Sequence, residues 1–258
     1  MDNYQAIHCI MNNKMKLAFK YQLLSLVMVL VIWYLLTWFV SPLLIPKISV
    51  VLLELVKIVT VPDYLLMIWI TTKRLLIGMA IGVSVGIVLG VAMGKVKAID
   101  HFFSPIVSIL QTIPPISWLA LALVWFGFNG KPAIFIVVTS LIPIISINTR
   151  EGFKNIDQGL LEMAQIYQLN KQKIYIKIVL PTILPYIRSA TKIGLGMSWK
   201  VAVMGEVLTT NDGIGGMIKE ARNNLEVESI IAWSIMIVIL FNLTTWLLKK
   251  MFKEEGAK

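Results

Sequence analysis

Thiol and imidazole chemistry are nearly absent from this chain. Its 258 residues hold one cysteine, Cys9, and two histidines, His8 and His101. One cysteine makes no intrachain disulfide, and no Cys/His set has metal-ligand spacing. Solvated loops are the plain reading for both histidines. Charge is scarce as well. Asp, Glu, Lys and Arg make up 15% of the residues, against about a quarter in soluble domains. No Gly-rich loop ends in Gly-Lys-Ser/Thr, and there is no Gly-x-Ser-x-Gly elbow, so nothing marks the chain as an ATPase or a hydrolase. No acidic pair falls inside an apolar run, which leaves a membrane-embedded enzyme without a catalytic set. Repeated halves and paired broken helices are also missing. Those are the marks of a secondary transporter, the rival reading that needs no ATPase.

What is present is apolar. Hydrophobic residues make up 57% of the chain, and the mean hydropathy is +0.79. These values describe an integral membrane protein with one membrane domain. The formal charge of +10 raises the question of nucleic acid. The basic residues, however, collect at the ends of apolar runs, where a membrane protein places them, so no nucleic-acid partner is expected. Runs of about 20 apolar residues suffice to cross the hydrocarbon core. Clear runs fall at 21–40, 75–94, 104–127, 132–148 and 229–248. The first is too long for a signal-peptide core and is read as a span.

Both ends are basic. Lys14, Lys16 and Lys20 lie in a tail at 1–20, and Lys249, Lys250, Lys253 and Lys258 at 249–258. Two cytoplasmic ends require an even number of spans, so 183–206 becomes the sixth despite Arg188, Lys192, Lys200 and Glu206. The expected fold is therefore all-α: a polytopic membrane protein of about six transmembrane helices, with one membrane domain over 21–248. Residues 41–68 read as a loop and an interfacial helix. The outer loop at 207–227 opens on the turn signal Asn211-Asp212-Gly213 and leads into a short surface helix.

Three patterns stand out inside the runs. Gly78, Gly82, Gly86, Gly90 and Gly94 repeat at a spacing of four, so all five lie on one helix face. That face suits packing inside the bundle or a dimer seam. Pro114 and Pro115, with Trp118 just after them, break the third run. Such a break either lines a pathway or is a packed kink. In the sixth run, Arg188, Lys192, Trp199 and Glu206 fall within about 40° of one another on a helical wheel, and Lys200 lies off that stripe. Arg188 and Glu206 are about 27 Å apart along such a helix. These residues either mark a translocation pathway or snorkel to the two interfaces.

One polar, basic stretch lies between spans: 162–185, EMAQIYQLNKQKIYIKIVLPTILP. Its prolines predict a compact helical knob on one membrane face, with Leu180 as a helix boundary. The stretch resembles the coupling loop of importer-type ABC permeases, whose pattern opens Glu-Ala-Ala, places Gly four residues later and closes Ile-x-Leu-Pro. Glu162, Ala164, Ile178, Leu180 and Pro181 match. Met163 replaces the first Ala, and Gln168 stands where the Gly belongs. Without Gly, this position must either turn at a steric cost or lengthen the first helix. Pro114-Pro115 with Trp125-Phe126-Gly127, and Ser198-Trp199-Lys200 running to Gly205-Glu206 and Gly213-Ile214-Gly215, resemble permeases for sulfonates, taurine and nitrate. A related permease type imports pyrimidine thiamin precursors.

The resemblance implies a permease subunit of the bacterial cytoplasmic membrane, with no catalytic or metal residues and no bound cofactor. Its partners would be two copies of an ABC ATPase carrying ATP-Mg, an extracytoplasmic binding protein and a second permease copy. The coupling loop at about 150–181 would meet the ATPase. Lys192 and Lys200 would offset the charge of an anionic substrate.

Overall fold

The computed structural model describes residues 20–252 apart from 22 and 26. The basic tails expected at 1–20 and 249–258, with His8 and Cys9, lie almost wholly outside the described residues.

Eleven helices are labelled along the chain. They are α1 (Leu23–Phe39), α2 (Ile48–Thr60), α3 (Pro62–Lys95), α4 (Lys97–Thr112), α5 (Pro115–Phe126), α6 (Lys131–Lys154), α7 (Gln158–Ile166), α8 (Lys171–Ile174), α9 (Leu180–Thr209), α10 (Gly213–Asn223) and α11 (Val227–Phe252). A π-helical turn, Tyr175–Val179, joins α8 to α9. No strand occurs among the described residues, so the fold is all-α as composition and periodicity require.

Helix α6 is the centre of the bundle, and both α3 and α9 pack along it and touch each other. The α3 face is the glycine ladder. A Cβ added at Gly78 would lie 2.7 Å from Val137, at Gly82 2.8 Å from Leu141, and at Gly86 2.6 Å from Ile145. At Gly90 it would meet Ser146 and Thr149, and at Gly94 Phe153. The partners on α6 repeat every four residues too, so branched and aromatic side chains of one helix sit in the notches of the other. The five glycines thus face α6 within the same chain. On a neighbouring face of α6 that shares Leu141, Gly194 and Gly205 of α9 bring that helix onto Leu141, Ala133 and Ile136.

Two boundaries differ from the sequence reading. The second apolar run begins at 75 by hydropathy, but α3 starts at Pro62, with that proline in its first turn and Asp63 beside it. Lys73-Arg74 therefore lies inside a helix rather than before one, because Arg74 finds carboxylates across the bundle. At 34 residues, α3 is about 51 Å long and outreaches the hydrocarbon core. The third run, 104–127, is not one straight span. Helices α4 and α5 meet at 94° where Pro114 and Pro115 interrupt them. The double proline accounts for the break: Pro114 ends one helix and Pro115 opens the next.

Three of the described helices, α3, α6 and α11, are long and apolar enough to cross a membrane, and a fourth if the bent pair counts as one. Helix α9 spans 30 residues but carries Arg188, Lys192, Lys200 and Glu206. Helix α1 is short for a span, and its Trp33 Nε1 donates to the Pro46 carbonyl 3.1 Å away, tying it to the loop before α2.

Candidate coupling knob and membrane cavity

The knob is built from α7, α8 and the π turn. Asp157 caps α7 by accepting from the Gly159 N–H at 2.8 Å, and Asn170 caps α8 by accepting from Gln172 N–H. Between them the chain reverses at Gln168, whose φ is +47°. The N–H of Leu169 donates to the Ala164 carbonyl and that of Gln168 to the Gln165 carbonyl. This is the hydrogen-bond pair of a Schellman C-terminus, in which the left-handed position normally holds Gly. Gln168 therefore turns rather than lengthening α7. A left-handed non-glycine residue costs about 1–2 kcal/mol.

Proline does not stop the second helix. The chain stays helical from Lys171 to Thr209. The wide turn shifts the backbone pairing, so that Leu180 N–H reaches back to the Tyr175 carbonyl. That shift comes just before Pro181, which has no N–H to give. Leu180 still marks a boundary, but between two helical geometries.

The inner side of the knob has its own small core. Ile156, Val179 and Ile183 are buried, with Phe153, Leu161, Ile174 and Ile178 packed on them. Ala164 is buried as well. Lys95 at the end of α3 lies 4.5 Å from the centre of the Tyr175 ring. The outer side is different. Glu162 is exposed, and around it Leu160, Met163, Ile166 and Tyr167 are 45%, 53%, 78% and 72% exposed. Leu160, Met163 and Tyr167 follow a three-then-four spacing, an apolar stripe pointing away from the bundle. Sequence reasoning singled out Met163 but missed Leu160, Ile166 and Tyr167, although their spacing is visible in the sequence.

The polar stripe expected on α9 does not form a single lining. Trp199 is buried, and its Nε1 donates to Thr244 Oγ1 of α11 at 3.2 Å. Glu206 is fully buried, accepting from Arg74 Nη1 at 2.9 Å, Thr71 Oγ1 at 2.7 Å and Gly215 N–H at 3.1 Å. Arg74 also reaches both carboxylate oxygens of Asp212 at 2.9 Å. Glu206 thus binds α3, α9 and α10 together instead of facing a pathway. Its partner Arg74 lies 132 residues away in sequence, and no local pattern announces the pair. Lys192 and Lys200 are exposed, and Arg188 is half-buried.

A cavity of about 480 Å³ opens where α4 and α5 break, between them, α6 and α9. Pro115 and Trp118 line it; Pro114, at the corner itself, does not. Gln111, Thr139, Ser140 and Asn148 supply polar groups, and Ile193 and Met197 form the α9 wall. Lys200 points within about 20° of Ile193 on the helix, two turns further on. Trp118 rests edge-on against Phe135. Its indole N–H is buried and makes no hydrogen bond among the described residues, at a cost of about 1–3 kcal/mol. No group of His, Cys, Asp or Glu able to hold a metal ion occurs among the described residues.

Residues 82–253 match the family model of the binding-protein-dependent transport system inner membrane component. A relative from Escherichia coli (strain K12), named as an aliphatic sulfonates transport permease protein, SsuC, is 32% identical over 134 residues, 52% of this chain and 51% of that protein. The nitrate import permease protein NrtB of Leptolyngbya laminosa is 37% identical over 142 residues, 54% of this chain and 50% of that protein. The chain spans about half the length of these curated relatives. A solved bacterial ABC transporter, involved in the import of the acidic polysaccharide alginate, superposes with a TM-score of 0.65 over 94% of this chain and 98% of that chain. At 16% identity the likeness is one of fold.

Proposed function

This chain belongs to the family of binding-protein-dependent transport system inner membrane components, and we propose that it is the permease subunit of an ATP-driven importer for a small anion, a sulfonate, nitrate or similar solute. Two copies form the pathway at their interface. Each crosses the membrane six times, with both ends in the cytoplasm. An extracytoplasmic binding protein delivers the solute to the end of the bundle that carries α10. Two ATPase subunits with their ATP-Mg dock on the knobs at the other end, and hydrolysis takes place there.

The observation that carries this reading is the knob. Its buried side is cemented by its own core and by Lys95 on Tyr175, so it moves as a body. Its exposed side offers Leu160, Met163, Ile166 and Tyr167 to water, an apolar surface of the kind a partner covers. Glu162 stands at the edge of that surface, and Ala164 locks the helix from beneath. The relatives' names support the anion, and Lys192 and Lys200 on the exposed face of α9 suit it.

The test is ATP-dependent uptake by proteoliposomes that carry this chain with its ATPase and binding protein. Met163→Asp with Tyr167→Asp is expected to abolish ATPase co-purification, and Glu162→Ala to lower uptake at least severalfold. An ATPase that binds the double variant as tightly as the parent would sink the docking assignment.

A further inference from the structure

Where α4 begins, at the knob end of the bundle, two cations and two carboxylates form a closed ring. Arg150 and Lys154 of α6 each reach both Asp100 of α4 and Glu151 of α6. Arg150 lies 3.0 Å from Asp100 and 2.9 Å from Glu151, and Lys154 lies 3.4 Å and 3.8 Å from the same two. Ser104 completes the ring on α4. It donates to Asp100 at 3.0 Å and accepts from Arg150 Nη1 at 2.7 Å. We propose that this ring is a clamp in the transport cycle, with Arg150 as the positioning residue that hands movement of the knob to the wall of the membrane cavity. The proposal rests on the importer reading and adds to it the path by which ATP-driven motion enters the membrane domain.

Both ends of that path are built from the chain's own helices. Phe153, three residues after Arg150, packs on the small core of the knob and sits in the notch at Gly94. The ring therefore stands at the root of the knob. On α4, Asp100, Ser104, Val107 and Gln111 fall within about 60° of one another around the axis. Asp100 and Ser104 hold α6. Gln111, about 16 Å further along the helix, lines the cavity together with Ile147 and Asn148 of α6. One face of α4 is thus tied at its base and walls the cavity near its other end.

Packing holds α4 lightly. Of its 16 residues Val107 alone is buried, and Pro114 and Pro115 separate it from α5 at 94°. A helix with a weak seat and a break at its far end moves as a lever, and its position is set where it is tied. The tie itself is graded. The side chains of Asp100 and Arg150 are 18% and 19% exposed, covered enough for a charge-assisted bond to hold. Those of Glu151 and Lys154 are 41% and 48% exposed, where water competes and an ion pair holds weakly. With Glu151 beside it, Arg150 keeps a carboxylate when it leaves Asp100. The clamp can therefore open and close without stranding a charge.

The experiment reads the cavity wall directly. Gln111→Cys in a Cys9→Ser background places the sole thiol of the chain on that wall. Its labelling by a water-soluble maleimide is followed in the permease–ATPase complex in nanodiscs, without nucleotide and with ATP-Mg plus orthovanadate. The labelling rate is expected to differ severalfold between the two states. With Arg150→Gln added it should stay nearly constant, while the ATPase still co-purifies and hydrolyses ATP. Asp100→Asn breaks the same bond from α4 and should give the same result if Arg150→Gln does not assemble. A nucleotide response that survives either substitution overturns the inference, and so does a parent with no response. Failure of both variants to assemble also overturns it, because the ring would then be needed for folding. Uptake of ethanesulfonate and of nitrate by the parent with its binding protein is measured alongside. A parent that imports neither overturns the importer reading, whatever the labelling shows. A parent that imports, while Arg150→Gln responds to nucleotide as the parent does, overturns this inference alone.

Discussion

Gln168 carries more conformational strain than any other knob residue described here. Its φ of +47° is forced by the two backbone bonds that close α7. Sequence reasoning reached the position, because the departure from the Gly of the resembling family is visible in one residue. It could not choose between a strained turn and a longer helix. The choice depends on Asn170, which caps α8 and so fixes where the second helix must start. Replacing Gln168 by Gly is expected to stabilise the knob by about 1 kcal/mol. Hydrogen exchange of the α7 amides should slow severalfold; unchanged exchange would mean that the turn stores no strain. A β-branched residue such as Val should act in the opposite direction.

At the scale of elements, the α3–α6 seam was legible from spacing alone, since five glycines at intervals of four leave one smooth helix face. What spacing left open was the partner. The same face serves a neighbouring helix of the chain or a second copy, and only the position of Val137, Leu141 and Ile145 decides it. The seam makes a sharp prediction. Gly86→Val would drive a side chain into Ile145 and should cost about 1–3 kcal/mol, read as an earlier midpoint in detergent unfolding. Gly196→Ala is the control, because its Cβ would meet only Phe241 at 3.4 Å, an ordinary contact. Equal losses for the two would contradict the packing. The break between α4 and α5 was equally visible in Pro114-Pro115, but its angle and the space it opens were not. Those depend on how α6 and α9 stand around it.

For the whole molecule, the hardest feature to foresee was the join at the end of the bundle remote from the knob. Glu206 read as a polar residue near a membrane edge. It is instead the buried acceptor for Thr71, Arg74 and Gly215, drawn from α3 and α10. Charge in an apolar run suggests a pathway only when the opposite charge is out of sight, and Arg74 stood just before the second apolar run as hydropathy drew it. Glu206→Ala leaves Arg74 with Asp212 alone in a mostly buried setting. It should cost about 3–5 kcal/mol and make the 209–213 segment sensitive to protease in the folded protein. Glu206→Gln, which keeps the shape, should lose less. A variant that resists protease like the parent would show that the join does not hold α10.

The π turn at Tyr175–Val179 sets an angular phase between two halves of one helix. A turn of this kind holds one residue more than an α-helical turn, and each residue of helix advances the side chains by about 100°. Remove one residue there, Ile176 for instance, and the knob would rotate by about that angle around the axis of α9. Its apolar stripe would then face sideways while every helix of the bundle stayed where it is. The direction in which this chain presents itself to a partner is thus recorded in a single extra residue.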